Sequence, residues 1–150
     1  MKTNIILIML LITLSNCGKK KAEKQAKKDE EIIQKYIRDH KLSATATGSG
    51  LYYVISTQGT GANPNINSEV TVAYTGFLVN GNTFDQSTAA GATFNLNSVI
   101  SGWQEGIPYF KKGGKGTLLI PSALGYGSQE KSTIPANSVL IFDVHLLDVK

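Results

Sequence analysis

The chain contains a single cysteine, Cys17, and only two histidines, His40 and His145, set far apart in its 150 residues. One cysteine excludes an intrachain disulfide framework and a Cys-rich metal site, and the separated histidines offer no metal-ligand spacing. A Cys–His nucleophilic pair is disfavoured on the same ground. Motifs for covalent or nucleotide chemistry are also missing: there is no Gly-x-Ser-x-Gly elbow, no phosphate loop ending in Gly-Lys-Ser or Gly-Lys-Thr, and no dinucleotide fingerprint. Gly113-Gly114-Lys115-Gly116 leads into a strand-like run rather than a helix, so it reads as a turn and not as an anion site. Neither a cofactor nor a metal is expected.

Charge is scarce where aromatics are plentiful. Residues 18–42 hold nine basic and five acidic side chains, whereas residues 43–150 hold five basic against six acidic. The net charge of +4 therefore belongs to an N-terminal arm, and no nucleic-acid partner is expected for the remainder. Glycine and proline are distributed the opposite way: all four prolines, fourteen of the fifteen glycines and eleven of the twelve aromatics lie beyond residue 47. A boundary near residues 43–50 follows, with one domain after it.

Lys2 precedes the apolar run Ile5 to Leu14, which is broken only by Thr13. A helix of that length rises about 15 Å, roughly half the hydrocarbon thickness of a bilayer, so an export signal is the better reading than a membrane span. The run ends at Leu14-Ser15-Asn16-Cys17. This resembles the lipobox of bacterial lipoproteins, with Asn16 in place of the usual small residue before the cysteine. The resemblance implies a signal peptide over residues 1–16, lipidation at Cys17 and attachment to a membrane of the bacterial cell envelope, facing the periplasm or the exterior. Two or three acyl chains anchor stably where one is marginal.

Lys19 to Lys41 has helix propensity, with no glycine or proline, and Ile33, Tyr36, Ile37 and His40 recur at helical spacing near its end. It reads as a charged tether whose last two turns dock on the domain. Ser43 to Gly50 reads as a flexible linker, which closes a tether-and-linker region over residues 17–49. From residue 50 the pattern changes to strands and turns. Leu51 to Ile55 is a short β-type run, and Val70, Val72 and Tyr74 alternate with Thr71, Ala73 and Thr75. Asn80-Gly81 marks a hairpin between Phe77–Val79 and Thr83-Phe84, and Phe94 and Leu96 suggest a further strand. Ser98 to Ile107 is the one helix expected in the domain, carrying two glycines and checked by Pro108. Thr117 to Ile120 and Val139 to Val149 complete the set, with Leu140, Phe142, Val144 and Leu146 on one face. The expected class is α+β, a mainly antiparallel sheet with a helix on one face.

Five blocks carry a family resemblance: Val72-Ala73-Tyr74-Thr75-Gly76; Gly81-Asn82-Thr83-Phe84-Asp85-Gln86-Ser87; Val99-Ile100-Ser101-Gly102-Trp103-Gln104-Glu105-Gly106; Ile120-Pro121 through Gly125-Tyr126-Gly127; and Ile134-Pro135 with Leu140-Ile141-Phe142-Asp143-Val144. Their order and spacing resemble those of FKBP-type peptidyl-prolyl cis-trans isomerases over residues 50–150. The resemblance implies a five- to six-stranded antiparallel sheet wrapped around one short helix. It also implies acceleration of X–Pro bond rotation in exported proline-containing polypeptides.

By the same resemblance, Tyr74, Phe84, Phe94, Val99, Ile100, Trp103, Tyr126 and Phe142 form the proline pocket, with Trp103 beneath the ring. Asp85 and the Tyr126 hydroxyl supply polarity at the rim, the Ile100 N–H is the donor to a substrate carbonyl, and Ile134 sits on an overhanging loop. Tyr74, Asp85, Ile100 and Tyr126 are expected to act on the amide, and the others to bind substrate. The chain departs from some relatives in lacking an arginine across Gln86–Ala92 and in the polar stretch Ser128–Thr133. Seven residues between Tyr126 and Ile134 leave no room for an inserted chaperone domain, and the arm before residue 43 is shorter than the dimerising helices of certain members, so a monomer is expected. The rival reading is a non-catalytic FKBP-like module that holds a partner segment in the same pocket.

Overall fold

A computed structural model describes the backbone of residues 4–150 and the side chains of residues 17–150. The side chains of the expected signal peptide, residues 1–16, lie outside the described residues. A long helix, α1 (Asn4–Asp39), precedes seven strands: β1 (Thr45–Ala46), β2 (Tyr52–Thr57), β3 (Glu69–Leu78), β4 (Thr83–Gln86), β5 (Ala92–Asn95), β6 (Lys115–Ile120) and β7 (Leu140–Val149). A short helix, α2 (Ser101–Gly106), lies between β5 and β6. The strands form one antiparallel sheet in the order β1-β2-β6-β7-β3-β4, with β5 also paired to β3.

The architecture is the expected one, an antiparallel sheet against a short helix, with a larger strand count. Thr45–Ala46, read as linker, pairs with Tyr52–Tyr53, and the Thr47 N–H donates to the Leu51 carbonyl. Serine and threonine there close a narrow β-turn edge instead of a free coil. At the other edge, β4 and β5 divide the length of β3 between them. The helix expected over residues 98–107 is shorter, because Ile100 is extended at its start and Pro108 falls in a 3-10 turn, Ile107–Tyr109, at its end. Asn80-Gly81 does turn the β3–β4 hairpin, but through three residues: the Gly81 N–H donates to the Leu78 carbonyl, and Gly81 alone takes a positive φ, of 88°. A type I turn followed by a left-handed glycine has this form.

The sheet is apolar on both faces at one end, and the sequence carries the reason. Leu118-Leu119-Ile120 and Leu140-Ile141-Phe142 are continuous runs rather than alternations, as strands covered on both sides require. Leu118, Ile120, Leu140 and Phe142 join the main core beneath α2 with Val70, Val72, Leu96, Trp103 and Ile107. Leu119, Val139 and Ile141 face the other way and are covered by Ile33 of α1, with Tyr36 and Ile37 beside it. Docking of α1 thus starts earlier than its last two turns. Asp29 is already buried, and Glu30 and Gln34 share the Tyr52 hydroxyl, which donates to Glu30 at 2.6 Å and accepts from Gln34 at 2.8 Å.

Ile33 is fully buried where α1 crosses β6 and β7. Ile33→Ala is expected to lower unfolding free energy by about 2–5 kcal/mol through the cavity it leaves, read as a lower urea midpoint with an unchanged slope.

Candidate functional site

α2 brings an aromatic floor close to the sheet. Gly102 and Gly106 lie four residues apart on the face that meets β6. A Cβ on Gly102 would strike the Ile120 side chain, and one on Gly106 would come within 2.7 Å of Leu118. Four helical residues rise about 6 Å and two strand residues about 6.7 Å, so the two glycines step along β6 in time with Leu118 and Ile120. Glycine weakens a helix by about 1 kcal/mol each, and here it admits contact that a side chain would prevent.

Trp103, next to Gly102, is only 4% exposed. Three rings meet it nearly at right angles: Tyr74 at 5.1 Å and 89°, Phe142 at 5.3 Å and 81°, and Phe94 at 5.6 Å and 81° between centroids. Edge-to-face contacts of this kind are favourable beyond area burial, because each ring's positive edge meets another's negative face. The Trp103 indole N–H is buried without a hydrogen-bond partner among the described residues.

Above this floor opens a cleft of about 350 Å³, lined by Tyr74, Asp85, Phe94, Ser98, Val99, Ile100, Trp103, Tyr126 and Phe142. Eight of the ten residues expected from the sequence therefore line one space. The remaining two do not: Phe84 stands behind the wall, edge-on to Phe142 at 5.4 Å, and Ile134 packs into the main core while bordering a separate depression with Glu130 and Thr133. Ser98 was not anticipated. A small polar residue in a turn resembles any other loop serine, so no sequence signal singled it out.

A β-bulge aims the rim. The β3–β4 register shifts between Gly76 and Phe77, leaving Phe84 without a strand partner of its own. Consecutive strand residues normally face opposite ways, but here Phe84 reaches Phe142 while Asp85 reaches the Tyr74 hydroxyl, which donates to its carboxylate at 2.8 Å. Gly76 makes room for this arrangement, since a Cβ there would come within 2.7 Å of both the Phe84 and Phe142 rings. On the other side, the Gln104 amide of α2 donates to the carbonyls of Val99, at 2.8 Å, and Asn97, at 3.3 Å, holding the segment that leads to Ile100. The Ile100 carbonyl accepts from Trp103 and Gln104 N–H groups, while its own N–H donates to no described residue.

Asp85 is the only formally charged side chain lining the cleft. Burial of the Tyr74 ring, then the hydrogen bond to Asp85 and the negative charge behind it, push the Tyr74 phenol up to about 12 from an ordinary 10. A phenol whose folded pKa is raised stabilises the fold fully below pH 10 and loses that contribution as pH climbs towards 12. Tyr36 and Tyr52 are raised as well, so the comparison with Tyr74→Phe isolates the rim. The melting temperature is expected to fall between pH 10 and about 12, less steeply in Tyr74→Phe than in the parent; identical slopes would remove Tyr74 from the account.

Comparisons with known proteins bear on this site. A family model for the FKBP-type peptidyl-prolyl cis-trans isomerase matches residues 61–147. The FKBP-type peptidyl-prolyl cis-trans isomerase FkpA of Buchnera aphidicola (subspecies Schizaphis graminum) is 47% identical over 152 residues, covering 97% of this chain and 60% of that protein. FkpA of Escherichia coli K12 is 42% identical over 125 residues, covering 82% of this chain and 46% of that one. The chain spans about half the length of the curated relatives it matches. Among solved structures, FkpA from Escherichia coli matches with a TM-score of 0.73 at 34% identity, covering 99% of this chain and 73% of that one. A peptidyl-prolyl cis-trans isomerase from Pseudomonas syringae matches with a TM-score of 0.75 at 32% identity, covering 85% and 95% respectively. With its fold, its five sequence blocks and these matches in agreement, the chain belongs to the FKBP-type peptidyl-prolyl cis-trans isomerase family.

Proposed function

We propose that the cleft accelerates rotation about X–Pro bonds by holding the twisted prolyl amide over Trp103. The observation that carries this reading is the Trp103 floor walled by three aromatic edges, with one carboxylate, already tied to Tyr74, at its rim. Amide resonance opposes rotation with a barrier of about 18–20 kcal/mol. At the twisted transition state that resonance is lost, so the carbonyl and nitrogen carry less separated charge than in the planar amide. An apolar cleft disfavours the planar form relative to water more than it disfavours the twisted one, which lowers the barrier by differential binding. The free N–H of Ile100 is a donor for a substrate carbonyl, and the Tyr126 hydroxyl, which makes no hydrogen bond to a described residue, is a second polar group at the opening. Tyr74 and Asp85 fix each other and keep the rim polar without placing a free charge in the cleft. Phe94, Val99, Phe142 and, from behind, Phe84 complete the apolar wall. No bond is made or broken, so the reaction needs no nucleophile.

The assay is protease-coupled isomerisation of a short X–Pro peptide. The parent chain is expected to exceed the uncatalysed rate, and Phe142→Ala to lose most of that excess while costing about 3–5 kcal/mol of stability. A parent rate equal to the uncatalysed one would leave a cleft that binds a segment without catalysis.

We further infer that the substrates are exported polypeptides and that the protein is held at a bacterial envelope membrane by lipid on Cys17, acting as a monomer whose cleft-lining residues all follow the tether. The support is the lipobox-like Leu14-Ser15-Asn16-Cys17 and the exposed position of Cys17, together with the cationic stretch that follows it. No described helix is long and apolar enough to cross a membrane. Cys17→Ser is expected to abolish incorporation of a clickable fatty acid in cells while leaving peptide isomerisation intact. Equal labelling of both forms, or of neither, would remove the lipid anchor and leave the cleft chemistry untouched.

A further inference from the structure

The helix that precedes the sheet carries a buried carboxylate whose partner is part of the cleft wall. Asp29 of α1 is 1% exposed, and its Oδ2 accepts two hydrogen bonds from one residue, Ser122: from the backbone N–H at 2.8 Å and from the hydroxyl at 2.6 Å. Its Oδ1 accepts from the Gln25 amide at 2.7 Å. No cation pairs with it among the described residues. A buried carboxylate is costly without such partners, so the site is organised around satisfying it with neutral donors.

Ser122 opens the 3-10 turn Ser122–Leu124 that delivers Tyr126 to the cleft. Its carbonyl accepts from the N–H groups of Gly125, at 3.0 Å, and Gly127, at 2.8 Å, which bracket Tyr126 in the chain. One residue is thus gripped by α1 on its donor side and holds both neighbours of Tyr126 on its acceptor side. The Tyr126 ring packs against the main core, and its backbone course is set by the two bonds that bracket it.

We propose that Asp29 is a positioning residue for the cleft: the α1 carboxylate, acting through Ser122, sets the Gly125–Gly127 turn and with it the Tyr126 wall. Ile33, one turn further along α1, already supplies apolar adhesion to the sheet. A buried carboxylate adds little to adhesion, but it selects a particular backbone N–H and so fixes this loop. The effect on turnover rests on the proposed isomerase activity; the structural effect does not.

The test uses the full chain in mild detergent with Asp29→Ala, Asp29→Asn, Ser122→Ala and, as a packing control, Ile33→Ala. Amide hydrogen exchange and nitrogen–proton shifts report the turn, and the X–Pro peptide assay reports the cleft. In Asp29→Ala the Ser122 amide is expected to exchange at least about tenfold faster, the lower end of what a lost hydrogen bond to a charged group gives, and kcat/KM to fall about fivefold. The Gly125–Gly127 amides shift with it. Asp29→Asn keeps an acceptor and recovers at least half of the loss, and Ser122→Ala, which retains the backbone N–H bond, lies between. Ile33→Ala lowers the melting temperature but leaves the turn amides and kcat/KM unchanged well below that temperature. Unchanged Gly125–Gly127 amides in Asp29→Ala would overturn the proposal, as would equal changes in Ile33→Ala at matched stability. If the parent shows no catalysis, the isomerase reading fails and the amide measurements alone decide the role of Asp29.

Discussion

The whole site depends on how closely α2 approaches β6. Two glycines without side chains let a six-residue helix lie against Ile120 and Leu118, and this closeness puts Trp103 at a depth where three rings can stand on edge around it. A larger residue at either position would lift the helix, and the floor would rise into the cleft. The helix is too short to be stable alone, so the same packing that builds the floor also makes the helix.

The second constraint belongs to the sheet. At the β6–β7 centre both faces are buried, by α2 and the aromatic layer on one side and by α1 on the other. The cleft wall is built on these strands: Phe142 of β7 and Tyr74 of β3 stand diagonally across the ladder, Phe142 opposite Gly76 and Tyr74 opposite Val144, with their ring centroids 6.1 Å apart. The cleft is also nearly free of charge. Its one carboxylate is tied to a phenol, which keeps the rim polar while the interior stays apolar.

Local rules were violated where the site is made. The β3–β4 bulge turns two consecutive residues, Phe84 and Asp85, to one side, and Gly76 opposite them leaves space for two rings. Strict alternation would have sent one of the pair to solvent. Similarly, the charged stretch of α1 that follows Cys17 is mostly exposed, yet further along the same helix Asp29 and Ile33 are buried, so the arm and the domain are one packed body from Asp29 onward.

Sequence alone determined the class of fold, since the alternation around Val72, the one-face set Leu140, Phe142, Val144 and Leu146, and the turn residues are local signals with local causes. It also pointed to most of the cleft, because aromatic residues in five ordered blocks carry their resemblance with them. Only tertiary structure decided the rest. That Phe84 and Ile134 stand behind or beside the cleft rather than in it depends on a bulge and on a loop's path, neither of which has a residue pattern of its own. Ser98 lines the cleft from a segment whose flanking carbonyls, of Asn97 and Val99, are held by the Gln104 amide. Residues 43–50, composed like a free linker, became ordered once β2 offered an edge to pair with. Asp29 read as one more charge on a solvated arm, and it lies 93 residues from Ser122 in the chain. No local pattern spans that separation, because a hydrogen bond between two elements exists only after packing has brought them together.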